Sequence, residues 1–426
     1  MVHYNPRNIL LISFAAFIWS IYLSIQGQYL NDYIASSGSY TPLKISLMIS
    51  LVALTGAIAS IVFGAISDNL RIKFGRRKLF IIIGGVTSAL MFFFLPLNDA
   101  IIYIIFLNVL MSLFNSAAFV CNNSFIPDIA GEEKLGKTNA YATLGTSLGT
   151  VVGFALMIIR SSSTLFFISG AICALGFLIV GIFIQEPKIK TEPKKWLTEI
   201  KETFQLRNMK NEKGFFSFLI SHFLLHTGIN VYLPFLLIFL TQKNNLLSGE
   251  LIGLGLSLES GQVLVIFAVM TGISLLATIP IGFFIDKFPS SVFLLISRAF
   301  FAITTAFLAI TPLIRSIKPL VVGILFIIPY SIANTSDIIS RGALMHNLAP
   351  VEKRGQFLGL IMFGKILAQI PGVIIGGLLA QFLQRGYQYS FIVGAIIIFF
   401  SLPFISLSHV SSSIKQSKAI ENVLPS

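Results

Sequence analysis

Ionisable side chains are rare in the long apolar stretches of this sequence, and in its second half they recur with helical spacing. Three sets each fall on one helical face: Tyr330, Asn334, Asp337 and Arg341; His222, His226 and Asn230; and Lys365 with Gln369. Ionisable groups inside apolar segments are costly and usually functional. Histidine exchanges a proton near neutral pH, and a cation beside an acid keeps that acid charged. We therefore predict proton exchange at His222, His226, Asp337 and Lys365.

The first half carries aromatic and amide stripes with the same spacing. One consists of Trp19, Tyr22, Gln26 and Tyr29, and another of Asn108, Ser112, Asn115 and Asn122. Aromatic faces can stack on the apolar side of a sugar, while amides donate and accept hydrogen bonds with its hydroxyls. This composition suits a polyhydroxylated, uncharged ligand. The side chains predicted to bind it are Trp19, Tyr22, Gln26, Asn115, His226, Asn230, Tyr330, Asn334 and Gln369.

Each of these assignments has a structural alternative. Asp337 and Arg341 are also the right distance apart for a purely structural i,i+4 pair, which Arg298 could join. Lys365 could reach Asp337 rather than a ligand. The two histidines could be satisfied core residues, Trp19 could be an interfacial aromatic, and the amides could only bond neighbouring helices.

Nothing in the sequence indicates an enzyme. No nucleophile–base grouping, metal-ligand cluster or nucleotide-binding loop stands out. Cys121 and Cys173 both lie inside apolar runs, so neither a disulfide framework nor a metal site is expected. We therefore expect no metal and no cofactor.

The elements that position these side chains are membrane-spanning helices. Of the 426 residues, 55% are hydrophobic and 11% are charged, which is far less charge than a soluble chain carries. A span needs about 20 mainly apolar residues. The sequence predicts an all-α membrane protein with twelve spans, near 8–30, 44–66, 79–97, 100–124, 138–159, 164–184, 215–240, 261–285, 290–311, 319–343, 355–382 and 389–408.

The distribution of Lys and Arg sets the orientation. With both termini cytoplasmic, most cations between spans fall on the inner side, including five in 68–78 and eight in 185–214, as the positive-inside rule requires. The net charge of +13 is then a topology signal, and no nucleic-acid partner is expected. We expect a monomeric, multi-pass protein in the lipid bilayer of the plasma membrane.

The chain divides into two bundles of six helices, 1–184 and 215–410. Between them lies a cytoplasmic linker, 185–214, and a cytoplasmic tail, 411–426, follows the second bundle. Within the linker, apolar residues recur at helical spacing from Trp196 to Phe204, which indicates a short amphipathic helix on the inner leaflet.

Short segments recur between the two halves at nearly constant offset. GAISD from Gly64 resembles GFFID from Gly282, an offset of 218 residues, and EEKLG at 132–136 resembles VEKRG at 351–355, an offset of 219. Several matches at nearly one offset predict a duplicated six-span unit. Two such halves can expose a site to each side of a membrane in turn.

The loop after the second span reads GAISDNLRIKFGRRK from Gly64 to Lys78. It resembles the signature loop of the major facilitator superfamily, in which Gly, Asp and a second Gly are followed by basic residues. The seven-residue separation of Asp68 and Gly75 is similar to that of the glycoside–pentoside–hexuronide and sucrose-transporter branch. The stretch IPDIAGEEKLGKTNA after span four also resembles that branch, and Glu186 with Pro187 resembles the superfamily's usual Glu-Pro after span six.

The resemblance implies the major facilitator fold, two pseudo-symmetric six-helix bundles in which spans one, four, seven and ten line a central cavity. It also implies that the loop is a gate, an ion-paired clasp at the cytoplasmic face that is made and broken as the halves move. The alternative is that its cations only enforce topology. The expected gating residues are Gly64, Asp68, Arg71, Gly75, Arg76, Arg77 and Asp286.

These observations favour a secondary transporter of a small organic solute, with a sugar or glycoside as the leading candidate. Two alternatives remain, an exporter of hydrophobic compounds and a non-transporting membrane receptor of the same fold. Proton coupling through His226 or Asp337 is favoured over facilitated diffusion. Sodium coupling of the kind known in the resembled branch is not expected, because its acids in span two are lacking here.

Overall fold

The computed structural model describes residues 6–36, 41–70, 75, 77–159, 161–186, 213–241, 245–247, 250–252, 255–285, 290–314, 316–348, 354–383 and 385–408, although some side chains in these ranges, including those of residues 68 and 126–137, are left out. The chain divides into two compact units. Unit 1 comprises Met1–Thr41 and Met48–Glu202, and unit 2 comprises Pro42–Leu47 and Thr203–Ser426.

The described secondary-structure elements of the first half are all helices. Its α-helices are α1 (Pro6–Ser24), α2 (Leu30–Ser36), α3 (Pro42–Asn69), α4 (Lys78–Leu90), α5 (Ile101–Leu156) and α6 (Ser162–Phe183). A π-helical turn, Ile25–Tyr29, joins α1 to α2, and short 3-10 turns at Met91–Phe93 and Leu95–Leu97 extend α4.

The second half repeats this pattern, with two helices in the place of α5 and with one addition. Its α-helices are α7 (Lys213–Tyr232), α8 (Leu236–Thr241), α9 (Ser260–Ile285), α10 (Ser290–Leu308), α11 (Pro319–Leu348), α12 (Arg354–Phe382) and α13 (Gly386–Phe400). Short 3-10 turns lie at Leu233–Phe235 and Thr311–Leu313. The addition is a small antiparallel hairpin of β1 (Asn245–Leu247) and β2 (Glu250–Ile252).

The predicted all-α membrane fold is confirmed. Among the described residues, 11 helical segments are long and apolar enough to cross a membrane. The helix Tyr141–Leu156 is apolar but shorter, and it lies within the predicted span 138–159. Together these segments correspond to the twelve predicted spans.

The connection between spans four and five differs from the sequence prediction, because helical backbone continues across it. A straight helix with the 56 residues of Ile101–Leu156 would be about 84 Å long, much longer than the roughly 30 Å core of a bilayer. The contacts show that it reverses direction. Residues 19–26 of the first span meet residues 108–119 in reverse order, whereas residues 13–24 meet residues 145–153 in the same order. Its two legs are therefore two antiparallel spans.

Glycine allows equivalent helices to pack closely in the two units. A Cβ added to Gly153 would lie 2.6 Å from the Cβ of Ser24, and one added to Gly372 would lie 2.8 Å from the Cβ of Asn230. These two glycines are 219 residues apart, the offset of the sequence repeat. The first span therefore packs on the fifth as the seventh packs on the eleventh, which supports duplication of the six-span unit.

The hairpin accounts for a change of offset along the repeat. The connection from α2 to α3 comprises residues 37–41, whereas that from α8 to α9 comprises residues 242–259 and is thirteen residues longer. The chain that follows β2 returns to α8, since the amide of Leu256 donates to the carbonyl of Phe239 over 3.0 Å. Equivalent positions are accordingly 206 residues apart before this insertion, as with Ser24 and Asn230, and 218 or 219 apart after it.

We expect Gly149→Ala to destabilise the protein, because the new Cβ would collide with the backbone carbonyl of Phe17. Overpacking of this kind costs about 1–3 kcal/mol, so the thermal unfolding midpoint of the purified protein in detergent should fall. The matched control is Gly272→Ala, where nothing lies within 4 Å of the added Cβ. Its midpoint should stay the same or rise slightly, since alanine favours a helix over glycine by about 1 kcal/mol. Equal midpoints for the two variants would contradict this packing.

Candidate functional site

The centre of unit 2 contains a buried ion pair between two helices. Arg298 of α10 donates through Nε to Oδ1 of Asp337 on α11 over 2.7 Å, and the side chains are 0% and 2% exposed. Arg341, one turn further along α11, places its Nη1 3.7 Å from the other carboxylate oxygen. Asp337 thus lies between two guanidinium groups. This is the structural alternative given above, in which Asp337 pairs with Arg341 and Arg298 joins them.

Two serines complete the environment of Arg298. Its Nη1 donates to the hydroxyl of Ser221 over 2.6 Å and lies 3.4 Å from that of Ser401. Neither serine was predicted from the sequence, in which the position of Ser221 next to His222 was a signal for that residue and none pointed to Ser401. Nη2 of Arg298 is buried and has no hydrogen-bond partner among the described residues.

The two histidines of α7 lie beside this pair. Their ring centroids are 4.5 Å apart with the rings nearly perpendicular, and Nε2 of His226 lies 3.2 Å from Nη1 of Arg341. Because a guanidinium only donates, this imidazole nitrogen is the acceptor. His222 is 5% exposed, and neither of its ring nitrogens finds a hydrogen-bond partner in the described part of the chain.

Lys365 lies in α12, and its side chain is exposed. It is close enough to Arg341, His222 and His226 to interact with them electrostatically. Within the residues that the structure describes, it forms no ion pair, and Asp337 pairs with the two arginines instead. The predicted proton-exchange residues therefore lie together, and the described residues do not show the alternative contact of Lys365 with Asp337.

The other residues predicted to bind a ligand in unit 2 differ in accessibility. Asn230, Asn334 and Gln369 are half-buried, and the amide of Asn230 donates to the carbonyl of His226 over 2.7 Å. Tyr330 is buried, with its hydroxyl 3.0 Å from that of Tyr232. Tyr330 is therefore a core residue of unit 2 in this structure, and its predicted contact with a ligand stays a prediction.

In unit 1 the polar stripes of spans one and four meet. Gln26 lies in the π-helical turn and donates to Oδ1 of Asn108 over 2.8 Å. Such turns are frequent at functional sites. Asn115 and Asn122 each keep a buried side-chain oxygen that accepts no hydrogen bond from the described residues. These amides provide unit 1 with acceptors for a polar ligand.

Trp19 and Tyr22 are packed inside unit 1. The Trp19 ring lies 4.9 Å from that of Phe119, and the Tyr22 ring lies 5.1 Å from that of Phe92, measured between centroids. Both side chains are buried. They support the core of unit 1 in this structure, and the expectation that they contact a ligand stays a prediction.

The end of the predicted gating loop is held by Glu186. Both carboxylate oxygens lie 3.3 Å from the backbone amide of Arg77, and Gly75 adopts a φ of 100° in contact with the same carboxylate. The side chain of Arg77 is buried and donates to the carbonyl of Ser124. Gly64 packs near Val120. The predictions for Arg71, Arg76 and Asp286, and for the side chain of Asp68, lie outside what the structure describes.

The described residues contain no group of three or more His, Cys, Asp or Glu that could hold a metal ion. The cluster in unit 2 instead offers cationic donors, imidazole nitrogens and half-buried amides. Such a set can bind a polar ligand and exchange protons.

The sequence matches the family model of the Major Facilitator Superfamily over residues 9–336, and a second match covers 218–422. No sequence among curated proteins matches the chain. The fold is similar to that of a variant of the nucleoside transporter NupG, with a TM-score of 0.73 and 15% identity over 95% of this chain and 100% of that chain.

Two further solved structures are similar to this chain. A D-xylose-proton symporter gives a TM-score of 0.65 and 16% identity over 94% of this chain and 96% of that chain. A bacterial homolog of the human lysosomal transporter Spinster gives 0.65 and 15% over 96% and 98%. At these identities the similarity establishes the fold alone.

Proposed function

Because this chain belongs to the Major Facilitator Superfamily, we propose that it is a secondary transporter that moves a small polar organic solute by alternating access. The duplicated six-span unit supports this proposal, since two similar halves are what such a mechanism uses. Membership of this family also means that the chain is a transporter rather than an enzyme.

The observation that carries the proposal is the polar cluster inside the spans of unit 2. Arg298, Asp337, Arg341 and the two histidines of α7 occupy positions where apolar residues would be far less costly. A hydrophobic solute offers few hydrogen-bonding groups for the nitrogens of His222, which lack a partner among the described residues. The cluster therefore favours a polar solute over a hydrophobic one.

A sugar or glycoside is the leading solute class. The amides of Gln26, Asn115, Asn230, Asn334 and Gln369 can exchange hydrogen bonds with hydroxyl groups. Two solved relatives of similar fold are a nucleoside transporter and a D-xylose-proton symporter, and both kinds of solute are polyhydroxylated. The sequence resemblance to the glycoside branch points in the same direction.

Proton coupling is assigned to the histidines rather than to Asp337. Protonating this carboxylate would leave Arg298 and Arg341 facing each other without a counter-charge, which is costly in a buried site. His226 interacts with Arg341 through a nitrogen that can take up a proton. Asp337 then acts as a positioning residue that holds the two arginines.

The placement in the cell is proposed from the charge distribution. Cations concentrated between the spans on one side favour cytoplasmic termini, and the plasma membrane is the proposed location. The loop that ends at Arg77 would act as the cytoplasmic gate, with Glu186 fixing its end through the Arg77 amide.

Uptake into proteoliposomes tests the proposed function. The purified chain is reconstituted, and radiolabelled D-xylose, uridine, sucrose and D-glucuronate are offered with and without an inward proton gradient. We expect uptake of at least one solute above that of protein-free liposomes, and accumulation that requires the proton gradient. Transport of only hydrophobic dyes would favour the exporter, whereas absence of all transport would favour a non-transporting receptor.

A further inference from the structure

The spans of unit 2 carry more positive than negative charge. Across their described residues, the cations are Arg298, Arg341 and Lys365, and Asp337 is the acid. Asp337 lies against both arginines, so it neutralises one charge of the three. The remaining excess of positive charge lies within membrane spans, where an unbalanced charge is unfavourable.

The position of Lys365 differs from that of a lysine whose ammonium group extends to the membrane interface. It lies within the span Leu360–Phe382, and its electrostatic interactions are with Arg341, His222 and His226, on helices α11 and α7. It is exposed and, within the described chain, unpaired with any acid. Asp337 is already paired with the two arginines, so its carboxylate is not a counter-charge for Lys365.

Buried nitrogens of the same cluster also lack hydrogen-bond partners in the described part of the chain. Nη2 of Arg298 and both ring nitrogens of His222 have no partner among the described residues. Buried polar groups are almost always hydrogen-bonded, and an imidazole in its neutral form offers one N–H. Unfilled donors and excess positive charge in one cluster are together the complement of an anion.

We propose that the transported solute carries an anionic group, a carboxylate or a phosphate, which Lys365 and Arg341 bind and to which His222 donates a hydrogen bond. This proposal rests on the transport function proposed above and narrows its substrate class from a neutral sugar to an acidic polar solute. The anion supplies the counter-charge that the spans of unit 2 lack, and the half-buried amides contact the remainder of the solute.

Pairs of solutes that differ in one anionic group test this proposal. The probes are D-glucose and D-glucuronate, glycerol and glycerol 3-phosphate, and uridine and uridine 5′-monophosphate, each titrated at constant ionic strength into the full-length protein in detergent. The readout is the thermal unfolding midpoint. We expect the anionic member of at least one pair to raise the midpoint and its neutral partner to leave it unchanged.

Variants of Lys365 assign the effect to this cluster. Lys365→Gln should weaken the apparent affinity for the stabilising anion about tenfold or more, as expected for loss of a charge-assisted contact, while Lys365→Arg should retain most of it. The control Lys318→Gln removes the same charge from an exposed lysine outside the spans, and its affinity should equal that of the wild type. If Lys365→Gln does not fold, Lys365→Met replaces it.

Three results would overturn the proposal. These are a panel in which no anion shifts the midpoint, neutral partners that act as strongly as the anions, and an unchanged affinity in the Lys365 variants. Uptake separates this failure from that of the proposed function. A chain that transports a neutral solute and is indifferent to Lys365 remains a transporter without an anion site, whereas a chain that transports nothing contradicts both proposals.

Discussion

Replacing Asp337 with asparagine is expected to destabilise the protein severely. The carboxylate is the counter-charge of Arg298, which is 0% exposed, and it also faces Arg341. Removing one partner of a buried ion pair typically costs about 3–5 kcal/mol, because the remaining charge stays buried without compensation. We therefore expect low yield of Asp337→Asn and a large fall in its thermal unfolding midpoint.

A double variant separates loss of the charge from loss of the side-chain shape. In Arg298→Gln/Asp337→Asn both ions are replaced by amides that can still bond to each other and to the hydroxyl of Ser221, which Arg298 contacts now. Replacing a whole buried pair is often close to neutral, so the double variant should recover at least half of the lost midpoint. The single variant Arg298→Gln should show no such recovery, and its midpoint should lie well below that of the wild type.

The control for this series is Thr278→Ala. Thr278 is exposed in unit 2, and among the described residues its hydroxyl donates only to the carbonyl of Ser274 in its own helix. The midpoint of Thr278→Ala should therefore match that of the wild type. An Asp337→Asn protein as stable as the wild type would refute the buried pair, as would a double variant worse than either single variant.

The pairing of Arg298 with Asp337 shows where prediction from sequence succeeds and where it stops. Helical spacing was enough to place Asp337 and Arg341 on one face, because that relation is fixed within a single helix. The partner on α10 is 39 residues away along the chain, and no local pattern sets the rotation of one helix against another. The sequence could therefore only name Arg298 as an additional partner.

Trp19 and Tyr22 illustrate a second limit. Their spacing identifies a stripe on the first span, but a helix that is apolar on all sides gives no indication of which face turns toward its own bundle. The structure buries both side chains against rings of unit 1. Gln26 belongs to the same stripe, yet the π-helical turn changes the spacing at its position and it meets Asn108.

The twelve spans themselves were predictable because length and hydropathy are local properties of the sequence. The helical backbone between spans four and five was not, since polar residues at 125–137 are typical of a loop. The thirteen additional residues before α9 were visible only once the helix bounds were known, because the sequence matches used for the repeat all lie beyond them.

Replacing His226 is expected to uncouple transport from the proton gradient. The groups around it are His222 on α7, Arg341 and Asp337 on α11, Lys365 on α12, and Arg298 on α10. A proton on His226 adds a positive charge to this cluster, and a bound anionic solute offsets that charge. Proton and anion therefore favour each other's binding, and this coupling is reciprocal.

The variant that isolates this role is His226→Gln. Its amide oxygen can still accept the hydrogen bond that His226 now accepts from Arg341 over 3.2 Å. Unlike an imidazole, however, the amide cannot take up a proton at neutral pH. With one proton per solute, a gradient of one pH unit can drive about tenfold accumulation, since it is worth about 1.36 kcal/mol. In proteoliposomes the wild type should approach this ratio with the solute identified in the uptake screen, whereas His226→Gln should stay near one.

Exchange of labelled for unlabelled solute at equal pH distinguishes uncoupling from misfolding. His226→Gln should retain exchange, because solute can cross in both directions without net proton movement, and Thr278→Ala should retain both exchange and accumulation. Co-transport of one proton with one monovalent anion moves no net charge, so accumulation of such an anion should follow the pH gradient and ignore an imposed membrane potential. Accumulation that follows a sodium gradient, or that persists in His226→Gln under the proton gradient, would show that coupling lies elsewhere.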